Sequence, residues 1–301
     1  MSRGATLDGK IVVITGAARG IGALLAEKVA ARGGVPVLIG LEPGPLAEVA
    51  ARVDGHWWEV DVTDADRMAE TANAIVATLG RVDMVVANAG AASGGTLLLA
   101  DPRAYERTIE VNLLGSIRTA RAFLPALIAA KGHFLQIASL AAMVPAPLMG
   151  AYCASKSGVE AFAHCLAGEL VPHEVTVGVA YLSWTDTDMV RGADQLRGLG
   201  DMRKGLRGPL GKTYPLEPAV DRIVEGLARR SLHVYGQGFL ALIPFVRGVL
   251  PGLMLRVGRR EIGRQVRQAE TRIRDAGQLS TGLVGPGGQA AAASAGTGET
   301  S

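Results

Sequence analysis

Residues 11–30 set a buried strand, a glycine turn and a helix in direct succession, and no other stretch restricts the fold as tightly. Ile11-Val12-Val13-Ile14 is short, β-branched and flanked by Lys10 and Thr15-Gly16, which suits a strand covered on both faces. Thr15-Gly16-Ala17-Ala18-Arg19-Gly20-Ile21-Gly22 follows, and a helical stretch continues from Gly20 to Ala30. Glycines there let the backbone turn sharply and approach a pyrophosphate, which then lies over the positive end of the helix. Three glycines mean little in a chain that has 40. Between a strand and a helix, at the head of an alternating pattern, they predict a dinucleotide cradle.

The alternation continues. Val35–Ile39, Trp57–Val60, Val82–Ala87, His133–Ala138 and Val175–Tyr181 read as further strands, most of them buried, and the segments between several are long enough for crossover helices. The predicted class is α/β, a doubly wound parallel sheet of Rossmann-like type with helices on both faces. A catalytic domain over 1–235, with a substrate lid at about 188–215, would precede an apolar and basic helical extension over 236–275. From Ala276 the sequence reduces mainly to Gly, Ala, Ser and Thr without apolar periodicity, so 276–301 is expected to be a disordered tail. Cys153 and Cys165 lie in one helical segment roughly 18 Å apart, too far for a disulfide. The opening residues show no secretory signal, and the expected compartment is cytoplasmic.

Tyr152-Cys153-Ala154-Ser155-Lys156 begins a helical stretch, so Tyr152 and Lys156 project from one face. A phenol with a pKa of about 10 exchanges its proton poorly at neutral pH. An adjacent ammonium that lowered it by about 3 units would contribute roughly 4 kcal/mol, and Tyr152 could then act as general acid or base beside a carbonyl or alcohol. None of the other four tyrosines has Lys at the fourth following position. Ser139 follows a strand and would lie at the carboxyl edge of the sheet, placed to donate to a developing alkoxide.

With its T-G-x-x-x-G-x-G spacing, the chain resembles the short-chain dehydrogenase/reductase family over most of residues 8–235. Position by position, the resemblance makes Asn112, Ser139, Tyr152 and Lys156 the catalytic set, with Asn112 supporting a water-linked proton path through the lysine. It assigns the cofactor to Thr15, Gly16, Ala18, Arg19, Gly20, Ile21 and Gly22 of the loop and to Leu41 and Glu42 after the second strand. Asp61 and Val62 would meet the adenine. Asn88, Ala89 and Gly90 correspond to the family's N-A-G element, and Tyr152, Lys156, Thr185 and Thr187 would complete the contacts. The family's P-G pair is missing from Leu182-Ser183-Trp184-Thr185-Asp186-Thr187. Arg19 stands where relatives hold a 2′-phosphate, which favours NADP(H), whereas the carboxylate of Glu42 speaks for NAD(H). A homodimer or homotetramer is implied, and no metal.

Charge is uneven. Residues 191–275 carry 17 Lys and Arg against 8 Asp and Glu, where residues 1–190 carry 14 against 19. No nucleic-acid motif or aromatic platform accompanies the basic part, so no nucleic-acid partner is expected. The stretch 239–274 joins an apolar part to seven arginines, which suits peripheral membrane contact, a lid, a dimer contact or an ordinary amphipathic helix. Together with Leu148-Met149 it points to a lipophilic ketone or secondary alcohol, steroid-like or fatty. The competing readings are a reductase of small polar or acyl-thioester carbonyls and a non-catalytic nucleotide sensor on the same fold.

Overall fold

In the computed structural model, residues 6–195, 199–200, 203, 206, 208–275 and 282–297 are described. Seven parallel strands run in the order β3-β2-β1-β4-β5-β6-β7: β1 Ile11–Thr15, β2 Val35–Gly40, β3 His56–Glu59, β4 Met84–Ala87, β5 His133–Ile137, β6 Thr176–Tyr181 and β7 His233–Tyr235. Alternate residues of each inner strand feed two separate cores. Val12, Ile14, Leu38, Val86 and Leu135 pack under α1 (Gly20–Ala30), α2 (Pro43–Val53) and the helix Leu216–Ala228. Val13, Ile39, Val85 and Phe134 pack under α3 (Ala65–Leu79), α5 (Gly115–Ala130) and α6 (Gly150–Glu169). The period-2 alternation, apolar on both faces, is what a sheet sandwiched between two helical layers requires.

The strand order reverses between β1 and β4, and a crevice opens at that point beyond the carboxyl ends of the strands. Ser139 and Thr187 follow strands that end there, and α6 brings Tyr152 and Lys156 to the same edge. Between α4 (Pro102–Ile109) and α5 the helix widens into a π turn over Glu110–Leu114 that carries Asn112. Such turns occur mostly as local bulges at functional sites. The seventh strand was not foreseen, because three residues, His233-Val234-Tyr235, are too few to show a period.

Beyond β7, Gly238–Val246 and the long helix Leu250–Asp275 meet at a bend of 96° near Pro251. Arg247 ties this elbow to the body by a forked pair with Glu160, 2.7 and 2.9 Å, whose Oε1 also accepts from the Tyr181 hydroxyl. The expected disorder after 275 is corrected in part. Residues Gly285–Thr297 form a helix laid against α7 (Asp188–Gln195) and α4. Ala at most of its interior positions has the highest intrinsic helix propensity, and its small side chains fit closely over a cleft. Residues 276–281 and 298–301 fall outside the described residues.

Candidate active site

The glycine turn is braced before it can bind anything. Thr15 is buried, and its Oγ1 accepts from the backbone N–H groups of Asn88 and Ala89 at 3.0 and 3.1 Å. Asn88 Nδ2 donates to the carbonyls of Thr15 and Gly16 at 2.9 and 3.1 Å. Gly16 takes φ +65°, and a Cβ there would lie 2.7 Å from Ala89 Cα; a Cβ on Gly22 would lie 2.3 Å from the Gly16 oxygen. Only glycine allows strand, turn and helix to close this tightly, and the closure leaves backbone lining an open cleft of about 1000 Å³. Thr15 and Gly22 therefore shape the cleft from behind, whereas Gly16, Ala18, Arg19, Gly20 and Ile21 form its surface. Such a cradle fits a dinucleotide's pyrophosphate.

The same cleft is also lined by Leu41 and Glu42, by Asp61 and Val62, and by Asn88, Ala89, Gly90 and Thr187. Arg19 and Glu42, opposed indicators in the sequence, are partners here. Arg19 Nε donates to Glu42 Oε2 at 2.9 Å, a second guanidinium nitrogen reaches Oε1, and Asp188 lies 3.7 Å from a third. The arginine is thus already matched with carboxylates. Asp61 is also fully engaged: Oδ1 accepts from Thr63 N and Oγ1 at 2.9 and 2.7 Å, while Oδ2 accepts from Arg107 and from Ser294 Oγ. Burial works to raise its pKa, but the hydrogen bonds from Ser294 and Thr63 and the Arg107 charge outweigh burial and hold it below the ordinary value. Thr185 is not among the residues lining the cleft. Its buried hydroxyl donates to the Ser183 carbonyl at 3.0 Å and accepts from Gln237 Nε2 at 3.3 Å, so that side chain is engaged within the chain.

A second cavity, of about 860 Å³, adjoins the first at Met189. Ser139 and Tyr152 face it together, and the Ser139 hydroxyl bonds the phenol. The remaining wall is almost wholly apolar and includes Val144, Met149, Trp184, Leu206, Leu210 and Met254, with no charged side chain among the described residues. Ser183 also lines it, at a position where the family commonly has the glycine of its P-G pair. Among the described residues its buried Oγ has no hydrogen-bond partner.

Lys156 is buried beneath this wall. Its Nζ donates to the Ile137 carbonyl at 3.1 Å and lies 5.8 Å from the centre of the Tyr152 ring. Asn112, fully buried, exchanges hydrogen bonds with the backbone of Ala91 at 2.7 and 2.9 Å and donates to Ser155 Oγ at 2.9 Å. It pins the β4 loop to α6, so that the loop passes within reach of Lys156: a Cβ on Gly90 would lie 3.2 Å from Asn112 Oδ1 and 3.7 Å from Lys156 Nζ.

One expectation reverses. The ammonium was to make the phenol more acidic, yet burial pushes Tyr152 up to about 12, the Ser139 bond recovering only part of that. Burial likewise pulls Lys156 down to about 8. Burial makes a charge on either group costly. Tyr152 is therefore a protonated phenol at neutral pH. Arg107 and Ser294 had no sequence signal: the first is one of many helix arginines, the second one serine in a tail of small residues.

Residues 10–197 match the model of the short chain dehydrogenases. A fatty acyl-CoA reductase of Acinetobacter baylyi is 30% identical over 192 residues, 61% of this chain and 65% of that protein, so the chain spans just under two thirds of that relative. Estradiol 17-beta-dehydrogenase 11 of Pongo abelii is 30% identical over 266 residues, 85% of this chain and 84% of that protein. Among solved structures, a short chain dehydrogenase/reductase from Burkholderia phymatum in complex with NAD superimposes with a TM-score of 0.70 at 25% identity, covering 81% of this chain and 95% of that one. A metagenomic short-chain oxidoreductase in complex with NADP gives 0.55 at 37% identity, covering 58% and 82%.

Proposed function

The chain belongs to the short-chain dehydrogenase family of oxidoreductases, and from that premise we propose that it reduces a lipophilic ketone to a secondary alcohol, or runs the reverse reaction, with Tyr152 as the proton-transferring group. The observation that carries this reading is the placement of Ser139 and Tyr152, with Lys156 behind them, on an apolar cavity that adjoins the glycine-loop cleft at Met189. A nicotinamide dinucleotide held by the loop would supply or accept the hydride. The phenol, protonated at neutral pH, gives its proton to the oxygen that gains charge, and the Ser139 hydroxyl donates a hydrogen bond to that same oxygen. Lys156, charged below about pH 8, lowers the cost of the tyrosinate left behind. Such a ground state serves reduction directly, while oxidation must first remove the phenolic proton.

For the cofactor, the pairing of Arg19 with Glu42 and Asp188 shifts our reading from NADP(H) to NAD(H). A 2′-phosphate would meet two carboxylates and would have to break the arginine's existing bonds. The test is an absorbance assay of cofactor oxidation over a panel of carbonyls, run with each cofactor. Steroid-like or long-chain ketones are expected to turn over with NADH, and Glu42→Gln to move the preference towards NADPH by about tenfold, the loss of roughly 1.4 kcal/mol of repulsion. Turnover restricted to small sugars or polyols would reject the substrate class.

The elbow supports the same substrate class. Leu242, Phe245, Val249, Leu253, Leu255 and Val257 are exposed, Phe245 by 86% and Val257 by 77%. Arg256, Arg259 and Arg260 follow on the exposed side, and among the described residues none of these three pairs with an acid. The two bent helices together are long and apolar enough to match a membrane span. An apolar tip followed by unpaired arginines fits shallow insertion into an anionic bilayer, and Met254, on the same helix, lines the substrate cavity. The protein should co-sediment with vesicles containing an anionic phospholipid, and Phe245→Glu with Val249→Glu should release it. Equal sedimentation of wild type and variant, or a dimer that the variant splits without any vesicle binding, would reject the membrane contact.

A further inference from the structure

The helix Gly285–Thr297 occupies the end of the cleft where the resemblance places the adenine. Pro286, Gly287, Gly288 and Ala291 line that end opposite Leu41, Val62 and Val111. Among the described residues, its hydrogen bonds to the rest of the chain include four at named atoms. Val284 N donates to the Ala92 carbonyl at 2.8 Å, the Ala291 carbonyl accepts from Arg107 Nε at 3.1 Å, and Ser294 Oγ donates to Asp61 Oδ2 at 2.7 Å while accepting from Arg107 at 2.9 Å. Leu283, Val284 and Ala291 are its buried apolar anchors.

The decisive feature is the carboxylate of Asp61. It accepts from Thr63 twice, from Arg107 and from Ser294, so its four lone-pair sites are taken. A further N–H donor from a purine edge can bond Asp61 only by replacing one of these. Thr63 is held within the same turn and Arg107 is buried, which leaves Ser294 as the partner that can be exchanged. We propose that residues 284–297 form a built-in competitor for the adenine end of the dinucleotide site, closed by Ser294 on Asp61 and opened when cofactor binds. This rests on the cofactor reading above and adds to it a control on affinity: apparent binding is reduced by the fraction of molecules in which the strap is closed.

The probes are NADH and ADP-ribose, titrated against the full-length protein. Ser294→Ala removes the exchangeable donor from a half-buried side chain, so folding is not at stake. Both probes should bind about tenfold tighter, the factor one hydrogen bond to a charged group commands, with no change for reduced nicotinamide mononucleotide, which lacks the adenine. A second variant shuts the strap. A Cβ built on Gly192 falls 2.8 Å from Val284 Cγ1, so Gly192→Cys with Val284→Cys, in a Cys165→Ser background, should form a disulfide that weakens NADH binding and releases it on reduction. Unchanged or weaker NADH binding by Ser294→Ala, or indifference of the cysteine pair to reductant, overturns the proposal. If neither wild type nor variants bind NADH or NADPH, the cofactor reading itself has failed.

Discussion

Tyr152→Phe is expected to lower carbonyl reduction roughly 10²–10⁴-fold while NADH binds within about threefold of wild type. The substitution removes one oxygen and keeps the ring that packs beside Trp184 and Met149 along the substrate cavity. No other proton donor of suitable strength faces that cavity among the described residues. Ser93, Ser139 and Ser183 are alcohols, and Lys156 is turned to the Ile137 carbonyl. The loss should therefore appear in kcat. Its partner variant Ser139→Ala should lose less, because the phenol remains. Single-turnover measurement with saturating NADH separates the chemical step from binding, and a Phe variant that kept more than a tenth of the wild-type rate would remove Tyr152 from the mechanism.

The sheet and its cradle were legible because both are written locally. Two-faced strands such as Ile11–Ile14 and Val35–Ile39 announce burial on each side, and glycines between a strand and a helix have few other uses. Side-chain partnership is another matter. Arg19 and Glu42 are 23 positions apart, and they meet because β1 and β2 are neighbours and each residue stands just before the helix that follows its strand. Nothing in either residue's neighbourhood states it. Ser294 and Asp61 are separated by 233 positions. Sequence could show that the tail lacks an apolar face, which removes the usual reason for a helix to pack. It could not show that the cleft offers small side chains a groove with the Arg107 and Asp61 pair at its edge.

The electrostatics of Tyr152 and Lys156 mark the same boundary. Spacing put both on one helical face, and they are found there, but the sign of the phenol's shift depends on burial among residues from the loops after β5 and β6 and from the elbow. Proximity of a cation is a one-dimensional fact and burial a three-dimensional one. Where they oppose each other, as here, the direction could not be derived from the motif.

That burial has a consequence for stability. The folded-state pKa of Lys156 is depressed to about 8 from 10.5. The protonated form is therefore penalised by folding, the penalty is fully present below pH 8, and it fades as pH rises from 8 to 10.5. At neutral pH it amounts to about 3 kcal/mol. Lys156→Met removes the charge and keeps most of the volume, and the Ile137 carbonyl retains the Gln136 side-chain amide at 3.2 Å as a donor. The variant should thus unfold later at pH 7, with Tm higher on the order of 5 °C, and the advantage should vanish near pH 10.5. Activity should move the other way. Wild-type reduction should decline as pH rises through about 8, where the ammonium is lost, and the Met variant should be slow at every pH and lack that limb. A site group that destabilises the fold at the pH where it works is what stability traded for catalysis requires. Thermal unfolding and pH–rate profiles of the two proteins test it together: a Met variant that is less stable at pH 7, or one that keeps the limb near pH 8, would show that Lys156 is neither a buried charge nor the source of the pH dependence.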